Sequence, residues 1–292
     1  MKIGVIGGSG LYDIEGLEAV ESRRVDTPFG APSDEYACGR IGDCEVSFLP
    51  RHGRGHVLSP SEIPHRANIM GFKMLGVERV VSVSAVGSLK EELRPRDVCL
   101  VDQYFDRTKN RDEHTFFGNG LIAHVGFGEP ACPELRGIMA EVITAVAAEH
   151  VGPDVLRVEK RGTYVNMEGP AFSTKAESFF HREQGFDVVG MTSLAEAKLC
   201  REAEICYQAM AMVTDYDCWH ETEEAVSVEM IIGHLTANTE LARRVLPQLL
   251  AAIPAQRSCS CGEALKGALI TDPAAVPPQT RERLAPIVEK YM

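Results

Sequence analysis

The sequence contains no run of about 18 apolar residues, which excludes a transmembrane helix. Its first residues also lack the long apolar core and small-residue cleavage site of a signal peptide, so a cytoplasmic location is expected. No basic tract offsets the formal charge of −12, which argues against nucleic acid or an anionic membrane as partner. A small anionic substrate stays open, because it responds to a local pocket rather than to net charge. The glycine-rich turn Gly7-Gly8-Ser9-Gly10 is not a dinucleotide fingerprint, since from Gly8 that pattern needs glycine where Asp13 stands. Nor does a Gly-Lys-Ser/Thr follow, as a P-loop would require. Among nine cysteines, Cys99, Cys200 and Cys206 sit in apolar context and read as core filler. The polar Cys259-Ser260-Cys261 has no second Cys/His pair nearby, so no metal centre is expected there; a redox or disulfide role stays open. No internal repeat is present, and nothing between residues 1 and 250 reads as a linker.

What is present is an ordinary globular balance over 292 residues, 45% hydrophobic against 25% charged. Apolar, β-branched runs predict strands at 2–6, 44–49, 79–85, 97–102, 187–190 and 205–214. Leu135, Ile138, Met139, Val142, Ile143 and Val146 follow helical spacing, with Pro133 near the start. A longer stripe runs from Val228, Ile231, Ile232 and Leu235 through Ala242, Val245, Leu246 and Leu249, with Ser227 as its N-cap. Shorter helices are expected at 61–75 and 193–203. This alternation predicts an α/β single domain over 1–292, with a mixed, largely parallel central sheet flanked by helices. A boundary-like stretch at 254–261 precedes a Pro-interrupted tail, 262–292, expected to pack on the body.

Ligands in open α/β folds gather at the carboxyl ends of strands, and five predicted strand ends carry polar groups. Ser9 and its glycines follow the first strand. Arg51-His52-Gly53-Arg54-Gly55-His56 follows the second and forms a compact donor cluster able to clamp a phosphate; a metal held by His52 and His56 is the weaker option. Ser84 and Ala85 end the third, Met191 and Thr192 the fourth. Asp215 and Asp217 end the fifth. If that strand stays extended, both acids face one side, and burial together with mutual repulsion keeps one protonated near neutral pH. Alternatively both cap a turn and face water. The set suits displacement at a sugar carbon by phosphate, with an acid protonating the departing base.

Seven segments occur in order: Ile6-Gly-Gly-Ser-Gly-Leu11, Asp26-Thr-Pro-Phe-Gly30, Arg51-His-Gly-Arg54, Ser84-Ala-Val-Gly-Ser88, Glu168-Gly-Pro-Ala-Phe-Ser173, Gly190-Met-Thr192 and Thr214-Asp-Tyr-Asp217. Together they resemble the trimeric purine nucleoside phosphorylase family, in particular its methylthioadenosine phosphorylase branch, over residues 1–250. The resemblance implies the nucleoside phosphorylase fold and phosphorolysis of 5′-methylthioadenosine to adenine and 5-methylthioribose 1-phosphate. No cofactor is implied, inorganic phosphate being a co-substrate. It further implies a phosphate site of Ser9, Arg51, His52, Ser84, Ala85 and Thr192, with Phe172 stacking on the purine and Met191 along the ribose. By the same resemblance Asp215 is the acid at purine N7, Asp217 favours a 6-amino group, and Val228, Ile231 and Ile232 wall the 5′ substituent. His124 matches a residue that reaches a neighbouring subunit, so a homo-oligomer, trimer or hexamer, is expected. His65 stands where relatives often carry Tyr. Alternatives are a broader purine nucleoside or methylthioinosine phosphorylase and, from another class, a non-catalytic purine-binding regulator.

Overall fold

A computed structural model describes residues 1–8, 17–150, 156–220 and 228–292; the side chains of 150 and 228–232 lie outside that description. Ser9 and Ser227 therefore fall outside it. The strands are β1 (Lys2–Gly7), β2 (Glu18–Arg23), β3 (Tyr36–Ile41), β4 (Cys44–Pro50), β5 (Arg79–Ser88), β6 (Val98–Leu100), β7 (Gln103–Asp106), β8 (Val158–Glu159), β9 (Thr163–Asn166), β10 (Val188–Gly190) and β11 (Cys206–Asp215). The helices are α1 (His65–Met74), α2 (Pro133–His150), α3 (Lys175–Glu183), α4 (Ser193–Glu202), α5 (Val228–Ala252) and α6 (Pro278–Val288).

All the strands described join one mixed sheet, in the order β2-β3-β4-β1-β5-β10-β9-β7, with β11 also on β5 and β6 and β8 beyond it. Six of its ten ladders are parallel, the expected class of sheet. Every residue of β11 is buried, which is why it reads as one continuous apolar run instead of an alternation. Elsewhere alternation decides the faces. Ile3, Val5, Val81, Val83, Met210 and Met212 pack toward α2 and α5, against Leu135, Met139, Ile143, Val245 and Leu249. Ile6, Val80, Ala209, Ala211 and Val213 point the other way, toward Ile69 and Phe72 of α1, Leu199 of α4, and Leu284 and Ile287 of α6. Each fully buried Val, Leu, Ile, Phe or Met side chain among them contributes about 1.5–3 kcal/mol, so the sheet is held from both sides.

Two expected elements fall short by more than one residue at an end. The helix expected at 61–75 begins only at His65, after a separate 3-10 turn at Pro60–Glu62, because Pro64 has no N–H to offer a continuous helix. The strand expected at 97–102 pairs only over Val98–Leu100. Residues 262–292 bury Leu265, Leu284 and Val288 in the same cluster as Ile6 and Tyr36. Glu204 anchors them. Its carboxylate pairs with Lys290, accepts from Tyr291 Oη at 2.5 Å and from Leu265 N–H at 3.1 Å, and its carbonyl accepts from Arg257 at 2.9 Å. No metal centre is expected from Cys259 and Cys261, which stand alone in sequence; in the fold Cys132 and Cys206 lie beside them.

Glu204→Gln keeps the shape but weakens the three charge-assisted contacts to the tail, and should lower unfolding free energy by about 1–3 kcal/mol. Urea denaturation of the two proteins measures this; equal midpoints would show that the tail is held by apolar packing alone.

Candidate functional site

The cavity begins where β5 loses one neighbour and gains another. On one edge β1 pairs with Arg79–Ser82 and β10 with Gly87–Ser88, so neither strand covers Val83–Val86. Ala85 is the one exposed residue of an otherwise buried strand. The opening has a volume of about 590 Å³, within the range that encloses small-molecule ligands. Arg51, His52, Ser84, Ala85, Thr192, Phe172, Met191, Asp215 and Asp217 all line it, contributed by the ends of β4, β5, β10 and β11 and by the loop after β9.

One end is built from donors. Arg51 is buried and ion-paired with Glu196 of α4, Nε lying 2.5 Å from Oε1. Its other contacts run from Nη1 to the Val83 carbonyl at 3.0 Å and from Nη2 to Ser82 Oγ at 2.7 Å and Glu196 Oε2 at 3.3 Å. Of five guanidinium N–H groups, these leave at least one on Nη1 for a ligand. Glu196 also accepts from Ser82 Oγ at 2.7 Å and Tyr207 Oη at 2.8 Å. Burial opposes its ionisation, yet Arg51 beside it holds the carboxyl below its ordinary range. Ser84 Oγ is buried and makes no hydrogen bond of ordinary geometry. Thr192 occupies the N-cap of α4 without capping it, so a helix N-terminus, with its partial positive charge, opens beside the same space.

His52 behaves differently from the donor expected. Its Nδ1 lies 2.8 Å from the Leu58 carbonyl, and a carbonyl only accepts, so Nδ1 carries the proton. Burial, then the Arg51 charge, lowers its pKa to about 4. A neutral ring in this tautomer offers Nε2 as an acceptor.

The other end is acidic. Three residues along β5, roughly 10 Å from Ser84, Gly87 faces Asp215. The two acids do not converge by strand alternation, as expected. The β5–β11 register slips between Val213 and Asp215, a bulge at Thr214 that sets Asp215 against Gly87. β11 then ends, and Asp217 adopts a left-handed φ of 52°. Asp215 Oδ1 accepts the Asp217 N–H at 2.8 Å, so the capping alternative holds as well, but away from water: Asp215 is 7% exposed. A Cβ on Gly87 would lie 3.0 Å from Asp215 Oδ1, so a bare backbone gives the acids their room. Burial raises the Asp215 pKa, with Asp217 adding to the effect, while the Thr214 hydroxyl at 2.7 Å and the Asp217 N–H oppose it. Thr214 Oγ1 also reaches the Val86 carbonyl at 3.2 Å, so its one proton can follow the charge on Asp215. Asp217 is likewise raised by burial, and its Oδ2 is buried with no hydrogen bond of ordinary geometry.

Between the ends, Met167, Phe172, Val189 and Met191 give apolar walls, with Phe172 55% exposed at the rim. The backbone of Met191 is tied to Asn166, which donates to its carbonyl at 3.1 Å and accepts the Leu194 N–H at 3.1 Å. Glu196 and Asn166 were not anticipated. Glu196 had a signal, a lone acid among Leu194, Ala195, Ala197 and Leu199 on a predicted helix; Asn166 had none. His124 does not line this cavity; it is exposed, and its N–H donates to the Ala268 carbonyl at 2.9 Å. Val228, Ile231 and Ile232 lie in the first turns of α5, with side chains outside the described residues.

The sequence profile of the phosphorylase superfamily matches residues 2–251. The chain belongs to that superfamily. It is 54% identical to the S-methyl-5′-thioadenosine phosphorylase of Koribacter versatilis over 290 residues, 99% of this chain and 96% of the relative. A methylthioadenosine phosphorylase from an antarctic soil metagenomic library superimposes with a TM-score of 0.91 at 44% identity, covering 98% of each chain. A variant of the adenosine/methylthioadenosine phosphorylase of Schistosoma mansoni, solved with adenine, gives 0.83 at 36% identity, covering 91% of this chain and 96% of that one. Within the superfamily the chain falls with the S-methyl-5′-thioadenosine phosphorylases, which are pentosyltransferase enzymes. Among the described residues no helix is long and apolar enough to cross a membrane.

His65, first residue of α1, is buried beside this centre with Nδ1 unpartnered, and burial lowers its pKa to about 4 as well. Imidazoles lowered in this way reduce stability as pH falls from about 6.5, where they protonate in the unfolded chain, toward 4. Asp215 and Asp217, raised by burial, act with the opposite sign, since the folded state holds their protons longer as pH rises. Overall denaturation mixes the two, so ring resonances are the better probe. In the ligand-free protein, nitrogen-correlated NMR should find His52 as the Nδ1–H tautomer from pH 8 down to about 5. A midpoint near 6.5 for His52 would refute the assignment.

Proposed function

We propose that the protein catalyses phosphorolysis of 5′-methylthioadenosine to adenine and 5-methylthioribose 1-phosphate, with Asp215 as the general acid. The observation that carries this reading is a donor-lined end facing, across one cavity and roughly 10 Å away, a buried Asp215 with the half-buried Asp217 beside it, with apolar walls between the two ends.

Hydrogen phosphate takes the donor end, held by Ser84 Oγ, the Ala85 backbone, Thr192 and the free N–H of Arg51; Ser9 completes the set by resemblance. Its own O–H donates to His52 Nε2. Arg51 is already neutralised by Glu196, so it orients phosphate more than it attracts it, leaving the nucleophile less tightly held. The purine leans on Phe172, with the ribose along Met191. As the C1′–N9 bond breaks, its electron pair moves into the purine while the sugar becomes oxocarbenium-like. Asp215 delivers its proton to N7, and a phosphate oxygen forms the new bond to C1′. Asp217, left as the carboxylate, accepts from the 6-amino group. Two such carboxyls sharing one proton suit this division, because each charge disfavours the other. By resemblance, Val228, Ile231 and Ile232 are assigned as the apolar wall for the methylthio group. A 5′-hydroxyl in such a pocket loses only about 1–3 kcal/mol, so adenosine is a slower substrate and is not fully excluded. His124 stands apart from this chain's cavity with exposed Ile122 and Ile270 close by on the same bridge. That supports a homo-oligomer, a trimer or a pair of trimers, in which His124 reaches the neighbouring cavity.

The reading is tested by base release from methylthioadenosine, adenosine and methylthioinosine with and without phosphate. Release that ignores phosphate would overturn the mechanism, and no release would favour a non-catalytic purine-binding role. Asp215→Asn should lower kcat about 10² to 10⁴-fold while phosphate affinity, read by calorimetry, changes little. Unchanged turnover removes Asp215 from the acid role. Asp217→Asn should shift the ratio of kcat/KM toward methylthioinosine, since an amide can donate to a 6-oxo group as a carboxylate cannot; an unaltered ratio would place the 6-position elsewhere.

A further inference from the structure

Four of the nine cysteines meet at the opposite end of β11 from the acid pair. Cys206 is the first residue of that strand, and Cys132 immediately precedes α2. Cys259 and Cys261 come from the segment after α5, the first capping the 3-10 turn Ser260–Glu263 and the second within it. Their sulfurs all lie within 4.8 Å of one another, those of Cys206 and Cys259 being 3.3 Å apart. Cys132, Cys206 and Cys261 are buried and Cys259 is half-buried, and all four are free thiols. Thiolates about 2.3 Å from a tetrahedral zinc ion lie about 3.8 Å from one another, a spacing this cluster reaches with small side-chain rotations.

The surroundings hold that geometry in place. Glu134 Oε2 accepts the N–H groups of Ser258 at 3.0 Å and Cys259 at 3.1 Å, which fixes the loop that carries two of the thiols. The N–H of Cys132 donates to the Tyr207 carbonyl at 2.8 Å, and that of Cys206 to the Glu78 carbonyl at 3.0 Å. Arg257 lies against Cys206, packed so close to Gly262 that a Cβ there would meet its Nη2 at 2.6 Å. Four thiolates on a divalent ion carry a net charge of −2, and a guanidinium alongside is the partner such a site needs.

We propose that Cys132, Cys206, Cys259 and Cys261 form a tetrathiolate site for one zinc ion. Four sulfur ligands leave no open position, and the site lies roughly 30 Å from Asp215 along β11, so its role is structural. Two ligands belong to the body and two to the 254–261 stretch, so the ion fastens that stretch, and with it the tail 262–292 that follows, to the start of the strand whose far end carries the acids. Binding four thiols releases their protons and involves no electron transfer.

The test is metal analysis of the full-length protein, expressed in zinc-supplemented medium and purified without chelator under a phosphine reductant. About one zinc per chain is expected. Cys259→Ser/Cys261→Ser should retain less than a tenth of it, while Cys38→Ser, away from the cluster, should retain all of it. Cobalt added to the metal-stripped protein should give the intense thiolate-to-metal absorption of a tetrahedral sulfur site. Stripping the metal should lower the Tm of the unsubstituted protein by several degrees but leave that of the double variant unmoved, with base release at 25 °C changing less than twofold. Sub-stoichiometric zinc together with no cobalt–thiolate absorption would overturn the proposal. So would mass analysis of protein purified without reductant that finds the four cysteines joined in disulfides and no metal bound.

Discussion

A guanidinium and a carboxylate, both removed from water, hold the cavity together. Arg51 stands just past the end of β4 and Glu196 in the first turn of α4, and between them they engage Ser82 and Val83 of β5 and Tyr207 of β11. Neither charge could be buried alone; removing one partner of such a pair costs about 3–5 kcal/mol. Because every oxygen and most N–H groups are satisfied, the guanidinium has essentially one orientation. That fixes which N–H faces the cavity. The network continues from Tyr207 Oη through Ser193 to Tyr104. The N-terminus of α4, with Thr192 at its cap, is thereby set in the same frame as Arg51. Preorganisation of this kind means donors need not reorganise as charge shifts during reaction.

A neutralised arginine has a further consequence. The donor end of the cavity holds little net positive charge, which in the proposed reaction suits a phosphate that must leave its site as a nucleophile. Attraction comes instead from directed groups: a bare serine hydroxyl, backbone and a helix terminus. His52, with its proton committed to the Leu58 carbonyl, accepts and does not donate. In the proposed reaction it pairs with the phosphate form that still carries an O–H. At the acid end the logic reverses, since burial raises the proton affinity of both Asp215 and Asp217. The two ends suit opposite halves of the proposed displacement, nucleophile held and leaving group protonated.

Legibility followed burial. Strands with continuous apolar runs, β1, β4, β5 and β11, were evident, because being covered on both faces leaves a composition that nothing else explains. β2, Glu-Ala-Val-Glu-Ser-Arg, is exposed throughout and exists only through its ladder with β3; no periodicity marks it. α3 was overlooked because its phenylalanines, Phe179 and Phe180, point outward. Its start was nonetheless written in Thr174-Lys-Ala-Glu177, a capping box in which both side chains make the reciprocal bonds. The site was legible as a set of strand ends, since a parallel sheet collects them wherever it is built. Glu196 was less so, because a partner for Arg51 lies 145 positions away. The thiol cluster failed for the same reason: Cys206 is 53 positions from Cys259, and only tertiary structure closes that distance.

The acid pair shows how two side chains expected at one cavity can reach it by a different geometry. Side chains two apart share a face only while a strand stays extended, and this one does not. The bulge at Thr214 shifts the register by one, which in a sheet exchanges faces. The left-handed turn at Asp217 then folds the second acid back over Gly87. Asp is suited to both places, accepting the turn's N–H at 215 and tolerating positive φ at 217. Tyr216 between them is driven into a packed pocket with Leu89, Val189 and Trp219, which fixes the direction of the turn. An uninterrupted strand would instead set Asp215 against Ser88 on the opposite face, away from the cavity that β5 opens. The local departure from regular structure, more than the pair of carboxylates itself, is what turns two acids into a site.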